Sequence, residues 1–202
     1  MMPFDQTPCT AFEGARRIAS GPLAEVALQA KKRAQRGEHA SILIFDDVTS
    51  EQIEIDFRGT AKEVLARLAE RTQRHAPAPE SASEAARGPG RPKLGVVARE
   101  VTLLPRHWEW LSHQPGGASV ALRKLVEDAR RANAGKDRVR QSQEAAYRFM
   151  SAMAGNLPGF EEAARALFAK DQARFRQHVA SWPADIREHV ARLANGALAD
   201  SR

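Results

Sequence analysis

The spacing of apolar positions changes several times along the chain, and each change predicts an element. Short apolar stretches at 9–12 and 16–19 flank Gly14, which predicts a hairpin. Leu23, Ala27, Ala30 and Ala34 then recur at helical spacing behind Pro22. A basic cluster of Lys31, Lys32, Arg33 and Arg36 and the stop residue Gly37 close that helix. Residues 42–45, Ile-Leu-Ile-Phe, read as a buried strand. A turn at 46–50 leads to Ile53, Ile55 and Phe57, which alternate with Glu54 and Asp56 as in a half-exposed strand. Thr60 and Glu63 have the spacing of a capping box, and Val64, Leu65 and Leu68 give the next helix its apolar face. Residues 1–71 therefore read as a small ββαββα domain.

Periodicity stops over 72–98, where prolines, glycines and serines take over, so this stretch reads as a flexible linker. It resumes with a strand at 99–104 that ends at the helix-opening Pro105. Trp108 and Leu111 follow, then a Pro115-Gly116-Gly117 break, then a helix over 119–131 with Leu122, Leu125, Val126 and Ala129 on one face and Arg123, Lys124, Arg130 and Arg131 on the other. From 135 onward the pattern is helical, with corners at 155–158 and 170–171. Ala146, Phe149, Met150 and Met153 share one face, Phe160, Ala164, Leu167 and Phe168 a second, and Phe175, Val179 and Trp182 a third. Pro183 opens a last helix carrying Ile186, Val190, Leu193 and Leu198. The expected class is α+β: the 1–71 domain, the 72–98 linker, a strand-helix-helix segment at 99–134 and a helical bundle at 135–202.

Composition narrows the function classes. The longest apolar run is far short of the roughly 20 residues needed to cross a bilayer, and the first residues lack the charged and apolar regions of a signal peptide, so the expected location is the cytoplasm. A single cysteine, Cys9, excludes an internal disulfide and a cysteine-rich metal site, and its strand position predicts burial. The six histidines show no paired spacing on a helix face beside an acid, and no phosphate loop, dinucleotide fingerprint or nucleophile elbow is present. Asp46 and Asp47 form a tight acidic pair at a turn, where aspartate caps local backbone more readily than it holds a metal. No catalytic residue, metal or cofactor is assigned, and the chain is not expected to be an enzyme. The 31 Lys and Arg outweigh 25 Asp and Glu, a net charge of +6 that favours polyanionic partners.

The segment at 87–131 is basic. Gly90-Arg91-Pro92, within Arg87-Gly88-Pro89-Gly90-Arg91-Pro92-Lys93, resembles an AT-hook, whose extended Gly-Arg-Pro lies in the narrow minor groove of A·T-rich DNA. Pro89 stands where that motif usually has a second arginine, and a basic spacer without groove contacts is the alternative. The strand, helix, glycine turn and helix that follow resemble the ribbon-helix-helix fold, with Val101-Thr102-Leu103 before Leu104-Pro105 and Gly116-Gly117-Ala118-Ser119 opening the second helix. That resemblance implies an obligatory homodimer whose paired strands enter the major groove, while the start of each second helix holds a phosphate. Leu103 and Leu104 are adjacent where that family commonly has an extra outward residue between them. The alternative is a helical hairpin using Trp108, Trp110, Leu122 and Leu125 as core.

Across nearly its full length the chain resembles an uncharacterised bacterial family catalogued as domain of unknown function 2239. The resemblance rests on Gly90-Arg91-Pro92-Lys93-Leu94-Gly95, the 99–108 segment, Ala145-Ala146-Tyr147-Arg148-Phe149-Met150 and Ser181-Trp182-Pro183-Ala184-Asp185-Ile186-Arg187. It implies no activity. The expected function is double-stranded DNA binding by a homodimer, as a transcription regulator or nucleoid-associated factor, through Arg87, Arg91, Lys93, Arg99, Thr102, Ser119, Arg123 and Lys124. The alternative is a non-catalytic protein-interaction adaptor.

Overall fold

The computed structural model describes residues 6–36, 41–75 and 99–199. They divide into two compact units, one from the described parts of 1–78 and 136–202, the other from those of 79–135. The α+β class holds, with three strands and seven helices described.

In the first unit, β1 (Pro8–Glu13) and β2 (Arg16–Pro22) form an antiparallel hairpin turned by Gly14 at φ +54, a left-handed conformation that suits a residue without Cβ. Ala11 opposes Ala19 but Phe12 opposes Arg17, so Ile18 is an extra residue that bulges β2. After α1 (Leu23–Ala34), β3 (Ile42–Asp46) pairs antiparallel with the other edge of β1, giving the order β2-β1-β3. The central strand is buried on both faces. Cys9 and Ala11 pack with Leu23, Val26, Ala27 and Ala30 of α1, Ile44, and Val64 and Leu68 of α2 (Ala61–His75). Phe12 and Phe45 point to the opposite face.

That opposite face meets the C-terminal helices. α3 (Pro105–Ser112) belongs to the second unit; α4 (Gly117–Ala154), α5 (Phe160–Phe168), α6 (Gln172–Val179) and α7 (Ala184–Leu198) follow. Phe12 and Phe45 share one core with Phe149 and Met150 of α4, Leu167, Phe175, and Ile186 and Val190 of α7. Phe149 is its centre: its ring lies 5.3 Å from Phe12, 5.1 Å from Phe45 and 4.4 Å from His189. The first unit is thus a three-layer stack, with α1 and α2 on one face of the sheet and the C-terminal helices on the other. His189 of α7 is fully buried. Burial, then the positive charges of Arg192 and Arg17, pulls its pKa down to about 4.

Three expected elements differ, one of them the strand at 99–104 in the second unit. The helix over 119–131 and the one starting near 136 are a single helix, α4, that runs through Gly135. Glycine costs about 1 kcal/mol in a helix interior, and one such residue does not end a helix whose neighbours are good helix formers. The expected strand at 53–57 is limited to a bridge between Phe45 and Gln52, with Ile53 N–H donating to the Ile44 carbonyl at 2.8 Å. Beyond it, side-chain cations take the backbone acceptors that a ladder would use: Arg71 on Glu54 O (2.7 Å), Arg67 on Asp56 O (2.7 Å) and Arg58 O (2.5 Å), and Lys31 on Phe57 O (2.7 Å) and Gly59 O (2.6 Å). The Thr60–Glu63 capping box forms as expected, Thr60 N–H donating to Glu63 Oε2 at 2.6 Å and Glu63 N–H to Thr60 Oγ1 at 3.3 Å. The Thr60 N–H and the Thr60 hydroxyl, which donates to the same Oε2 at 3.1 Å, hold the Glu63 carboxyl below its usual range. α2 continues to His75, past the expected start of the linker, while Gly37 and the linker residues 76–98 lie outside the described residues.

Lys31 is 5% exposed, so its ammonium is a fixed clasp between α1 and the segment leading into α2. Lys31→Met keeps the apolar stem but leaves both carbonyls unpaired. It should lower unfolding free energy by about 1–3 kcal/mol in urea titrations; an unchanged midpoint would show that water satisfies both acceptors.

Candidate nucleic-acid interface

The second unit is built around a proline start and a double-glycine turn. Leu104 is extended (φ −65, ψ 150) because Pro105 follows it, and Pro105 then opens α3. The helix ends at His113, and Gly116 and Gly117 take φ +84 and +76 to reverse the chain into α4. At Gly116 a Cβ would also lie 3.1 Å from Cβ of Val120, a tight contact that adds to the backbone's preference for glycine there.

Little of this unit is covered. Leu111 and Ala121 are buried, whereas Val101, Leu104, Trp108, Trp110, Leu125 and Val126 are between 43% and 64% exposed. Leu103, His107, Trp110, Leu111, Leu122 and Leu125 line an open hollow of about 280 Å³ whose wall is almost wholly apolar. Residues 99–104 form no ladder among the described residues, so the strand expected there is a segment without regular structure within the single chain, extended at Leu104.

The expected contact residues fall into three groups. Arg99 and Thr102 are exposed on the 99–104 segment; Ser119, Arg123 and Lys124 lie on the first turns of α4, where Arg123 Nε donates to the Ser119 carbonyl at 3.1 Å. Arg87, Arg91 and Lys93 lie outside the described residues. Arg130 and Arg131 share Glu127 at 3.1 and 3.5 Å, which reduces the charge they can offer a phosphate. What sequence reasoning missed is exposure: helical spacing marked Leu125 and Val126 as an apolar face, but spacing carries no information on whether one chain covers that face.

No group of three His, Cys, Asp or Glu side chains able to hold a metal occurs among the described residues, and none of their helices is long and apolar enough to cross a membrane. Asp46, half of the acidic pair, caps its own turn, accepting from Val48 and Thr49 N–H at 2.7 Å each. Over residues 8–194 the sequence matches a family described as an uncharacterized protein conserved in bacteria, domain of unknown function 2239. The chain belongs to this family. No curated protein and no solved structure matches it. For this domain of unknown function 2239 protein, function has to be argued from the two units' own chemistry.

Proposed function

We propose that this protein binds double-stranded DNA as a homodimer, with residues 99–131 of two chains completing each other. The observation that carries the reading is the exposed apolar surface of the second unit beside a segment, 99–104, that joins no ladder among the described residues, and a basic helix start. A second copy supplies what is missing on both counts. Its 99–104 segment offers an antiparallel partner for a stretch that forms no ladder among the described residues, and its Trp110 and Leu125 offer apolar surface for the hollow. Pairing of this kind, similar to a ribbon-helix-helix dimer, sets Arg99 and Thr102 on one ribbon. It also leaves the first turns of α4, with Ser119, Arg123 and Lys124, free to meet phosphates through backbone N–H groups and cationic side chains. Arg87, Arg91 and Lys93 precede Arg99 by twelve, eight and six positions and add an arm for the minor groove.

The test couples mass in solution to duplex binding. Leu125→Glu buries a charge in the proposed interface and should give a monomer by light scattering, with duplex affinity falling at least about a hundredfold. Arg99→Ala with Lys124→Ala should leave the dimer intact and flatten the slope of log affinity against log salt by about one unit for each phosphate that the variant no longer neutralises. A wild-type monomer without duplex affinity at low salt overturns the reading and leaves the exposed face to a protein partner, the adaptor alternative.

A further inference from the structure

A second surface in the first unit has the chemistry of a ligand site and plays no part in the DNA reading. Between the 46–50 turn, the part of α4 around 138–145 and α7 lies a cleft of about 400 Å³, lined among others by Asp47, Val48, Arg138, Gln141, Arg192 and Leu193. A cleft of that volume suits a small organic molecule.

Arg192 is held from below. Its Nη2 donates to Asp47 Oδ1 at 3.0 Å and meets His189 Nδ1 at 3.0 Å and Thr10 Oγ1 at 3.4 Å, and Asp47 is itself fixed by Thr10 Oγ1 at 2.7 Å. Thr10 and His189 are fully buried, so the guanidinium is anchored in the core of the unit by one nitrogen. Nε and Nη1 have no partner among the described residues, and the side chain is half exposed. A planar group pinned by one nitrogen, with two donors unspent at a cleft wall, is preorganised for an oxyanion. Arg138 lines the same cleft from α4, is exposed and has no ion-pair partner among the described residues. With Arg138 and Arg192 against Asp47, one positive charge is left over, while Val48, which is 66% exposed, and Leu193 supply apolar wall.

We infer that this cleft binds a small organic anion, a carboxylate or phosphate group on an apolar body, with Arg138 and Arg192 clasping the anionic oxygens and Gln141 adding an amide contact. The test uses full-length protein and follows the arginine Nε–H resonances by NMR at fixed ionic strength, with benzoate and phenyl phosphate as probes and benzyl alcohol as the neutral control. At least one anion should shift the Arg192 and Arg138 signals saturably, and whichever saturates at lower concentration names the anionic group. Arg138→Gln should weaken that binding about tenfold or more and Arg138→Lys less, since lysine keeps the charge but loses the fork; the position is exposed, and circular dichroism checks that the fold survives. Shifts that never saturate, that benzyl alcohol reproduces or that Arg138→Gln leaves unchanged overturn the inference. So does displacement of the probe by stoichiometric duplex, which would make the cleft a phosphodiester contact. Failure of duplex binding by the 99–131 segment has no bearing on these outcomes.

Discussion

Replacing Phe149 with alanine should lower the stability of the first unit by about 3–5 kcal/mol, the cost of truncating a fully buried phenylalanine where neighbours cannot collapse into the space. The neighbours here are Phe12 and Phe45 from the sheet and His189 from α7, all fully buried and all in ring contact with Phe149. Sheet and helices each present a rigid wall, so the cavity stays open and the loss lies near the upper end of that range. Phe168→Ala is the control, because Phe168 is 52% exposed at the end of α5 and gives up far less buried area. Urea unfolding of both variants decides the matter. Equal losses would mean that sheet and C-terminal helices do not share one core.

Acidification should destabilise the fold through His189. The folded protein keeps this imidazole neutral down to about 4, whereas an unfolded chain protonates it near its ordinary 6.5. Between those values the unfolded state binds more protons, so stability rises with pH there. The contribution is complete above 6.5 and is lost progressively as pH falls towards 4, reaching about 3 kcal/mol in all. Carboxylates held below their usual range, Glu63 and Asp56, act mainly below pH 4.5, under the window in which His189 acts. His189→Leu should be less sensitive to pH across that window in equilibrium denaturation, while losing the acceptor for Arg192. A slope identical to that of the wild type would show that His189 charges without unfolding, through water reaching its unpartnered Nε2.

Local features of the fold were legible because they depend on near neighbours in the chain. The Gly14 turn, the Thr60–Glu63 box, the 42–45 strand, buried Cys9 and the corners at 155–158 and 170–171 all follow from residues a few positions apart. Long-range partners were not legible. Nothing in the alternation at 9–12 distinguishes a strand with one wet face from one covered on both, and the contact of Phe12 with Phe149 joins positions more than a hundred residues apart. The 53–57 segment shows the converse, since its alternation is that of a strand but Arg67, Arg71 and Lys31 take its carbonyls. In the candidate interface, residue types and helical face were readable at 119–131. The uncovered state of Trp110 and Leu125 depends on what packs there from elsewhere in the chain, which local spacing does not encode. Arg138 and Arg192 carry no local motif, and only the meeting of α4 with α7 makes them neighbours.

The burial of β1 on both faces sets an order of events during synthesis. The strand leaves the ribosome with its hairpin partner, and α1, β3 and α2 can cover the Cys9 and Ala11 face within the first 75 residues. The Phe12 and Phe45 face has to wait for 139–198, and in that interval a nascent chain presents two aromatic rings and the hydroxyl of Thr10 to water. Such an intermediate is a substrate for chaperones and for self-association. Chains released before α7 should therefore partition into aggregates, even though the hairpin and its helices are all present in them.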